Sequence, residues 1–525
     1  MIDRAVEELE RATVLHPILI ALYPLVSIYA TNVGLMSPHE ILWPAATVLV
    51  GMLAVGAAAW LLTRNIRTAG YLTSLFLILF FGFERAVEAL QWADPVLDLG
   101  DRRRTVLGAG CMLVLAACWI VRRWQVPRWP TVFLNIAAGI AIILQLGTLA
   151  ARRPALDSNQ PLLTVAPDDG RTGRRERPDI YYIVLDGYGR SDVLRDLYQY
   201  DNSWFLDDLR QKGFYVAEDS AANYCQTLLS LAASMNMTYL DSLSQRFGIG
   251  SHDRTTLRNA VVDNALARQL QGHGYRVITF SSGYVATELT HADLRLSSPF
   301  TLTEYQNLLI GLTPLPAMLH RIGWQFAAHR WGVSYVFDEL PAVGDREKPL
   351  FVFAHVMSPH PPFVFGQHGE KVVQTQRFTL FDGSFLIENQ ADVEEYRRGY
   401  ADQVAFVSQQ VLGVLQRIIL RSPGAIIVVQ GDHGPGSQLD WVRPDRTNMR
   451  ERLAILNAYR VPESVREKLY RRISPVNSFR LILNHLFGTV LEPLPDRSYY
   501  SRWHTPYDFL DVSAVVNAGS GTSMP

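Results

Sequence analysis

Residues 425–434 read AIIVVQGDHG. A run of apolar, mostly β-branched residues with no alternation fits a strand buried on both faces. It stops at Gly431, and Asp432-His433-Gly434 follows at once. Four similar runs lie around it: DIYYIVLD (179–186), YRVITFS (275–281), FVFAHV (351–356) and LAILNAY (453–459). Helical patterns over 256–271 and 393–420 separate them. Buried strands alternating with helices predict an α/β domain whose mostly parallel sheet is flanked by helices. Ligand sites in such sheets form beyond the carboxyl ends of the strands, so chemistry is sought where these runs stop.

Asp186 ends the first run and Gly187 follows it. A carboxylate there can face a crevice, although Asp-Gly is also an ordinary turn. Asp432 and His433 offer a hard oxygen and an imidazole, a pair suited to zinc or manganese, and their glycines leave room for a ligand. Asn223-Tyr224-Cys225-Gln226-Thr227 leads into LLSLAASMNM, which reads as a helix with Thr227 at its start. Thr227 could simply cap that helix. The same position also favours an incoming anion, and a metal beside it would activate the hydroxyl. In FVFAHVMSPHPPFVF (351–365), His355 sits at a strand end and His360 in a loop stiffened by prolines.

Before residue 150 the pattern changes. Five apolar segments, roughly 16–34, 41–63, 70–90, 105–121 and 131–150, are long enough to cross a bilayer. They predict a transmembrane domain over 1–150 with Gly and Ala suited to close packing. Arginines at 4, 11, 64, 67, 122, 123 and 128 outnumber those at 102, 103, 104, 152 and 153, seven to five. That bias puts the N-terminus inside and everything after the fifth span outside. Glu84, Arg85 and Glu88 are expected to pair at the outer interface. Residues 151–177 read as a linker, 178–510 as the catalytic domain and 511–525 as a loose tail.

The net charge of −1 offers no footing for a nucleic-acid partner. Cys111 and Cys118 lie in an apolar run and read as packing residues, and no CxxC pair is present. A metal must therefore be held by oxygen and imidazole.

An Asp at the first strand end, a Thr at a helix start, a Pro-framed His and Gly-Asp-His-Gly, in that order, resemble the sulfatase-like branch of the alkaline phosphatase superfamily. With five spans in front, the chain is most similar to lipoteichoic acid synthases and other phosphoglycerol or phosphoethanolamine transferases. The resemblance implies one divalent metal, zinc or manganese first and magnesium next, held by Asp186, Thr227, Asp432 and His433. Thr227 would also be the nucleophile, and His360 would contact the substrate phosphate or the leaving group. Lipoteichoic acid synthases carry Glu where this chain has Asp186. Sulfatases convert a Cys or Ser in a CxPSR-type motif; Cys225-Gln226-Thr227-Leu228-Leu229 lacks the Pro and the Arg, which makes Cys225 a neighbour of the nucleophile. A second metal, as in alkaline phosphatases proper, would have only His355, His360 and His504 to draw on, and their spacing does not match. The implied activity is transfer of a phospho-head group from a membrane phospholipid to a glycan or lipid acceptor outside the cytoplasm of a bacterial cell. A sulfatase-like hydrolase on the same fold is the alternative.

Overall fold

The buried runs do become a central sheet. A computed structural model of the chain describes residues 13–32, 38–97, 102–123, 127–156, 162, 177–284, 287–289, 291–347, 349–374, 378–387 and 390–517. Most of the expected linker and the last residues of the expected tail lie outside these. The chain forms two compact units, one of residues 1–158 with 302–324, the other of 159–301 with 325–525.

In the second unit the strands are β1 (Ile180–Leu185), β2 (Tyr215–Val216), β3 (Arg276–Phe280), β4 (Leu294–Leu296), β5 (Leu350–Val356), β6 (Ile426–Gln430) and β7 (Asn457–Arg460). They lie in the order β2-β7-β6-β1-β5-β3-β4. From β6 through β4 every pairing is parallel, while β7 runs antiparallel to β6 and β2 to β7. The sheet is thus the mostly parallel one expected, with a reversed edge. All six side chains of β1 are buried, because both faces are covered. Tyr181, Ile183 and Leu185 pack with Val404, Val407 and Val411 of the long helix Gln390–Arg421. Ile180, Tyr182 and Val184 face Leu228 and Leu231 of the helix Thr227–Asn236 and Phe479 of Pro475–Phe487. Each such aliphatic burial contributes about 1.5–3 kcal/mol, which settles β1 at the centre.

Two expectations need correction. The single helix over 256–271 is two helices, Thr255–Val262 and Ala265–Gly272. The break falls where Asn264 caps the second, its side chain accepting from Ala267 N at 2.8 Å. The strand expected over 453–459 occupies only Asn457–Arg460, because Asn448 caps a helical turn over Met449–Leu453.

The first unit holds α1 (His16–Thr31), α2 (Leu42–Thr63), α3 (Ile66–Phe81), α4 (Phe83–Leu97), α5 (Arg102–Arg123) and α6 (Trp129–Leu156). By length and composition α2, α5 and the first 23 residues of α6 can cross a membrane, and α3 with α4 forms one candidate span bent by 57°. The bend falls at Gly82, where a Cβ would lie 2.5 Å from the Ile78 carbonyl oxygen. α1 is apolar but only 16 residues long, shorter than the 16–34 expected. The helix Asp392–Arg421 passes the same test, yet 56% of its window is buried inside the protein. Outward-facing Leu53, Leu62, Leu115, Ile136 and Ile143 are more than half exposed, as residues facing lipid would be.

Polar ties are few and internal. Asn135 Oδ1 accepts from Leu15 N and His16 N at 3.2 and 2.7 Å, and its Nδ2 donates to Thr13 O. His16 Nδ1 meets Ser74 Oγ at 2.6 Å. Glu84 pairs with Arg103, and Arg85 with Glu88, each at 3.0 Å. Residues 302–324 add α7 (Glu304–Gly311) and α8 (Leu315–Arg321) to this unit, although the flanking sequence belongs to the sheet domain.

Candidate active site

β1 lies between β5 and β6 and runs parallel to both, so three carboxyl ends open side by side. Asp186 leaves β1 with its N–H still on Val356 O at 2.9 Å. Asp432 and His433 follow β6. Asp186, His355, Asp432 and His433 are each at most 2% exposed. Thr227 comes from the opposite layer. Of the two readings open for Thr227, the cap falls away, because Gln226 occupies that position and Thr227 is the first residue within the helix. Its hydroxyl is free of capping and meets His433 Nε2 at 3.0 Å.

Asp186, Thr227, Asp432 and His433 therefore come together. His433 Nε2 is 3.4 Å from Asp186 Oδ1 and 3.4 Å from Asp432 Oδ2. Its Nδ1 lies 2.9 Å from Gly434 O. A carbonyl only accepts, so Nδ1 carries the proton in the neutral ring and Nε2 presents a lone pair. Burial and then the Arg452 guanidinium hold His433 below the usual imidazole range, which keeps it neutral. Three electron-rich atoms thus face one another. Asp186 Oδ1 and Oδ2 and Asp432 Oδ2 are buried with no hydrogen-bond partner. An orphaned buried carboxylate is costly, and a cation among these atoms would remove the cost. The donor set of carboxylates, imidazole and hydroxyl fits a divalent transition metal or magnesium.

Surrounding groups aim these ligands. Gly187 N donates to Asp432 Oδ1 at 3.1 Å, leaving Oδ2 to the site. Gly187 has φ +76°, a conformation that favours glycine. Ser230 Oγ holds Asp432 O at 2.6 Å. At Gly434 a Cβ would lie 2.1 Å from Glu451 O. Gly434→Ala is expected to cost about 2 kcal/mol of stability by overpacking, read as a drop in the thermal midpoint of the purified protein.

Two histidines extend the site. His355 Nε2 is 3.2 Å from Asp186 Oδ2, on the side away from His433, and Thr287 Oγ1 orients the ring at 2.9 Å from Nδ1. Asp186, His355 and Asp432 also lie close enough to share an ion. His360 donates its backbone N–H to Asp186 O at 2.9 Å. Its Nδ1 is held by Pro361 O at 2.6 Å, and its ring centre is 6.1 Å from that of His433. His504 is exposed at the surface. Cys225 is fully buried against Ser501, and burial pushes its thiol up, away from the reactive thiolate.

Sequence reading passed over Asp382 and Arg452. Arg452 is fully enclosed and donates to Asp382 Oδ2 at 2.6 Å, Gly434 O at 3.0 Å and Cys225 O at 2.8 Å. Its Nη2 reaches His433 Nε2 at 3.2 Å. Tyr396 OH donates to Asp382 Oδ1 at 2.7 Å, and His360 Nε2 is 4.0 Å from Asp382 Oδ2. Burial opposes the Asp382 carboxylate, but Arg452 prevails and holds its pKa below the ordinary value. Asp382-Gly383 reads as a turn in sequence, so nothing local marks it. Asp382→Ala would strand a buried guanidinium, and a loss of about 3–5 kcal/mol in denaturant unfolding is expected.

No known family profile matches the chain, and no curated protein matches it in sequence. Solved structures similar to it include the zinc complex of the C-terminal periplasmic domain of EcEptC from Escherichia coli, 12% identical over 67% of this chain and 96% of that one, TM-score 0.43. The phosphonate monoester hydrolase of Agrobacterium radiobacter is 14% identical over 62% and 80%, TM-score 0.41. The integral membrane lipooligosaccharide phosphoethanolamine transferase A (EptA) from Neisseria meningitidis is 12% identical over 89% and 94%, TM-score 0.37.

Proposed function

We propose that this protein is a membrane-bound, metal-dependent transferase of the sulfatase-like alkaline phosphatase type. It moves phosphoglycerol or phosphoethanolamine from a phospholipid to an extracytoplasmic glycan or lipid through a phospho-threonine at Thr227. The observation that carries this reading is the meeting of unpartnered Asp186 and Asp432 oxygens and His433 Nε2 beside the Thr227 hydroxyl.

Asp186, Thr227, Asp432 and His433 would hold the metal, zinc or manganese in first place and magnesium in second. When bound, it supplies Lewis-acid polarisation of phosphoryl oxygens and lowers the pKa of the threonine hydroxyl. Thr227 releases its hydroxyl proton to water as Oγ attacks phosphorus, the bond to the diacylglycerol oxygen breaks, and that oxygen takes a proton from His360 or water. With Nδ1–H given to Pro361 O, His360 can donate from Nε2 only as the doubly protonated ring, and in the neutral ring water supplies that proton. The helix Thr227–Asn236 points its N-terminus at the same place, where negative charge is favoured. An acceptor hydroxyl then attacks the same phosphorus, passes its proton to a base or water, and frees Thr227. Apolar spans suit this task, because the donor never leaves the bilayer.

The reading also places the protein in a bacterial inner membrane with its catalytic domain outside the cytoplasm. To test the chemistry, purified full-length protein is incubated with head-group-labelled phosphatidylglycerol or phosphatidylethanolamine, with and without chelator. Mass spectrometry of the peptide containing Thr227 should find the head-group phosphate attached only when metal is present. Label released as free head group, with no acceptor modified, would select the hydrolase instead.

A further inference from the structure

The sequence between β4 and β5 leaves the sheet domain, and residues 302–324 join the apolar helices. A capping box fixes its entry: Thr303 Oγ1 accepts from Gln306 N at 3.2 Å, and Gln306 Oε1 accepts from Thr303 N at 2.9 Å. Tyr305 is fully buried and its hydroxyl donates to Leu25 O in α1 at 2.8 Å. Leu309 packs on Leu25 and Ile28, with Phe81 of α3 beside them. Glu84 N of α4 donates to Leu312 O at 3.4 Å. One face of the insertion is therefore sealed against α1, α3 and α4. Exposed on the other are Leu308 at 38%, Met318 at 56% and Ile322 at 66%, with the polar Asn307 beside Leu308.

Depth follows from helix direction. Asn135 ties the start of α6 to the start of α1, and the two helices pack along each other. They run the same way, so the far end of α1 shares a side with the end of α6, from which the chain departs for the sheet domain. Leu25 lies six residues before Thr31, roughly 9 Å below the end of α1 at 1.5 Å per residue. Helices that lie in a bilayer interface bury their apolar face to a similar extent, about 5–10 Å.

We propose that residues 302–324 are a membrane-interface element, seated in the leaflet in which α1 and α6 end, with Leu308, Met318 and Ile322 against phospholipid acyl chains. The sheet domain is then held to the bilayer at a second point, by a loop from its own middle. The inference rests on the reading of the first unit as membrane-spanning and not on the chemistry proposed for Thr227.

Full-length protein lacking Cys111 and Cys118, both outside the buried core, is given one cysteine at a time as Leu308→Cys, Met318→Cys, Ile322→Cys or, for control, Ile143→Cys on α6. Each is labelled with a small fluorophore and reconstituted into phosphatidylcholine–phosphatidylglycerol vesicles. Lipid brominated near the head group should quench the labels at 308, 318 and 322, and aqueous iodide should not. Label at 143 quenched by bromolipid with the three others quenched by iodide overturns the proposal and spares the spans. Insensitivity of those three to both quenchers, as burial against a second copy would give, overturns it equally. Iodide quenching at 143 removes the spans and the inference together. Three separate sites guard against one variant failing to fold.

Discussion

Thr227→Ala is expected to reduce head-group transfer by on the order of 10⁴-fold or more, as removal of a nucleophile does elsewhere, while leaving the fold intact. The two halves of that statement have different origins. The hydroxyl faces His433 Nε2 at 3.0 Å and makes no capping bond. Its removal therefore strands no helix donor that it had satisfied, and Gln226 keeps the cap position. Measured with chelator, stability should change by no more than about 1 kcal/mol, the worth of one ordinary hydrogen bond. Thr227→Ser keeps a hydroxyl and should retain measurable turnover and the covalent adduct. Lipid turnover, unfolding midpoint and adduct mass, taken on the three proteins side by side, check this. Equal turnover by the alanine variant would end the covalent mechanism.

Asp432→Asn is the second large effect, and its sign on stability is the less obvious part. Asn can keep the bond from Gly187 N through its Oδ1. Its NH₂ then replaces the unpartnered Oδ2 and points a donor at the lone pair of His433 Nε2, 3.4 Å away. Without metal, a buried charge has been exchanged for a neutral hydrogen-bonding group, and the variant should be at least as stable as the parent. With metal the order reverses. A ligand present at 100 times its dissociation constant adds about 2.7 kcal/mol, and the variant, one carboxylate short and with a donor in the site, should gain little of it. Melting curves with chelator and with zinc or manganese make the comparison. A parent protein that gains nothing from any divalent cation would remove the metal from the proposal. Turnover by Asp432→Asn should fall by on the order of 10³-fold, several kcal/mol of lost charge stabilisation.

Sequence marks the strands of this protein well because each is buried on both faces, and an unbroken apolar run such as IYYIVL has few other places to go. The strand-end residues Asp186, Asp432 and His433 were legible for the same reason: strand direction and the parallel order put them at one edge. Local competition was harder to see. Asn264 splits a helix and Asn448 delays a strand, each by a side-chain bond to a backbone N–H that an apolar pattern does not register. Asp382 and Arg452 escaped altogether, being 70 residues apart and significant only to each other. The insertion at 302–324 looked like part of the sheet domain, since nothing in a contiguous reading says that a chain will return to helices it left 150 residues before.

β1 was described as the central strand, bordered by β5 and β6, and Asp186 sits where those three end. A ribosome releases these parts in a fixed order. Asp186 and Thr227 emerge first, the partners of Asp186 in and just after β5 (His355, Val356 and His360) follow, and Asp432 and His433 come last, some two hundred residues after Thr227. A nascent chain cut short anywhere before β6 lacks both Asp432 and His433. The proposed metal site is thus completed only after β6 is made, and no shorter chain could hold it.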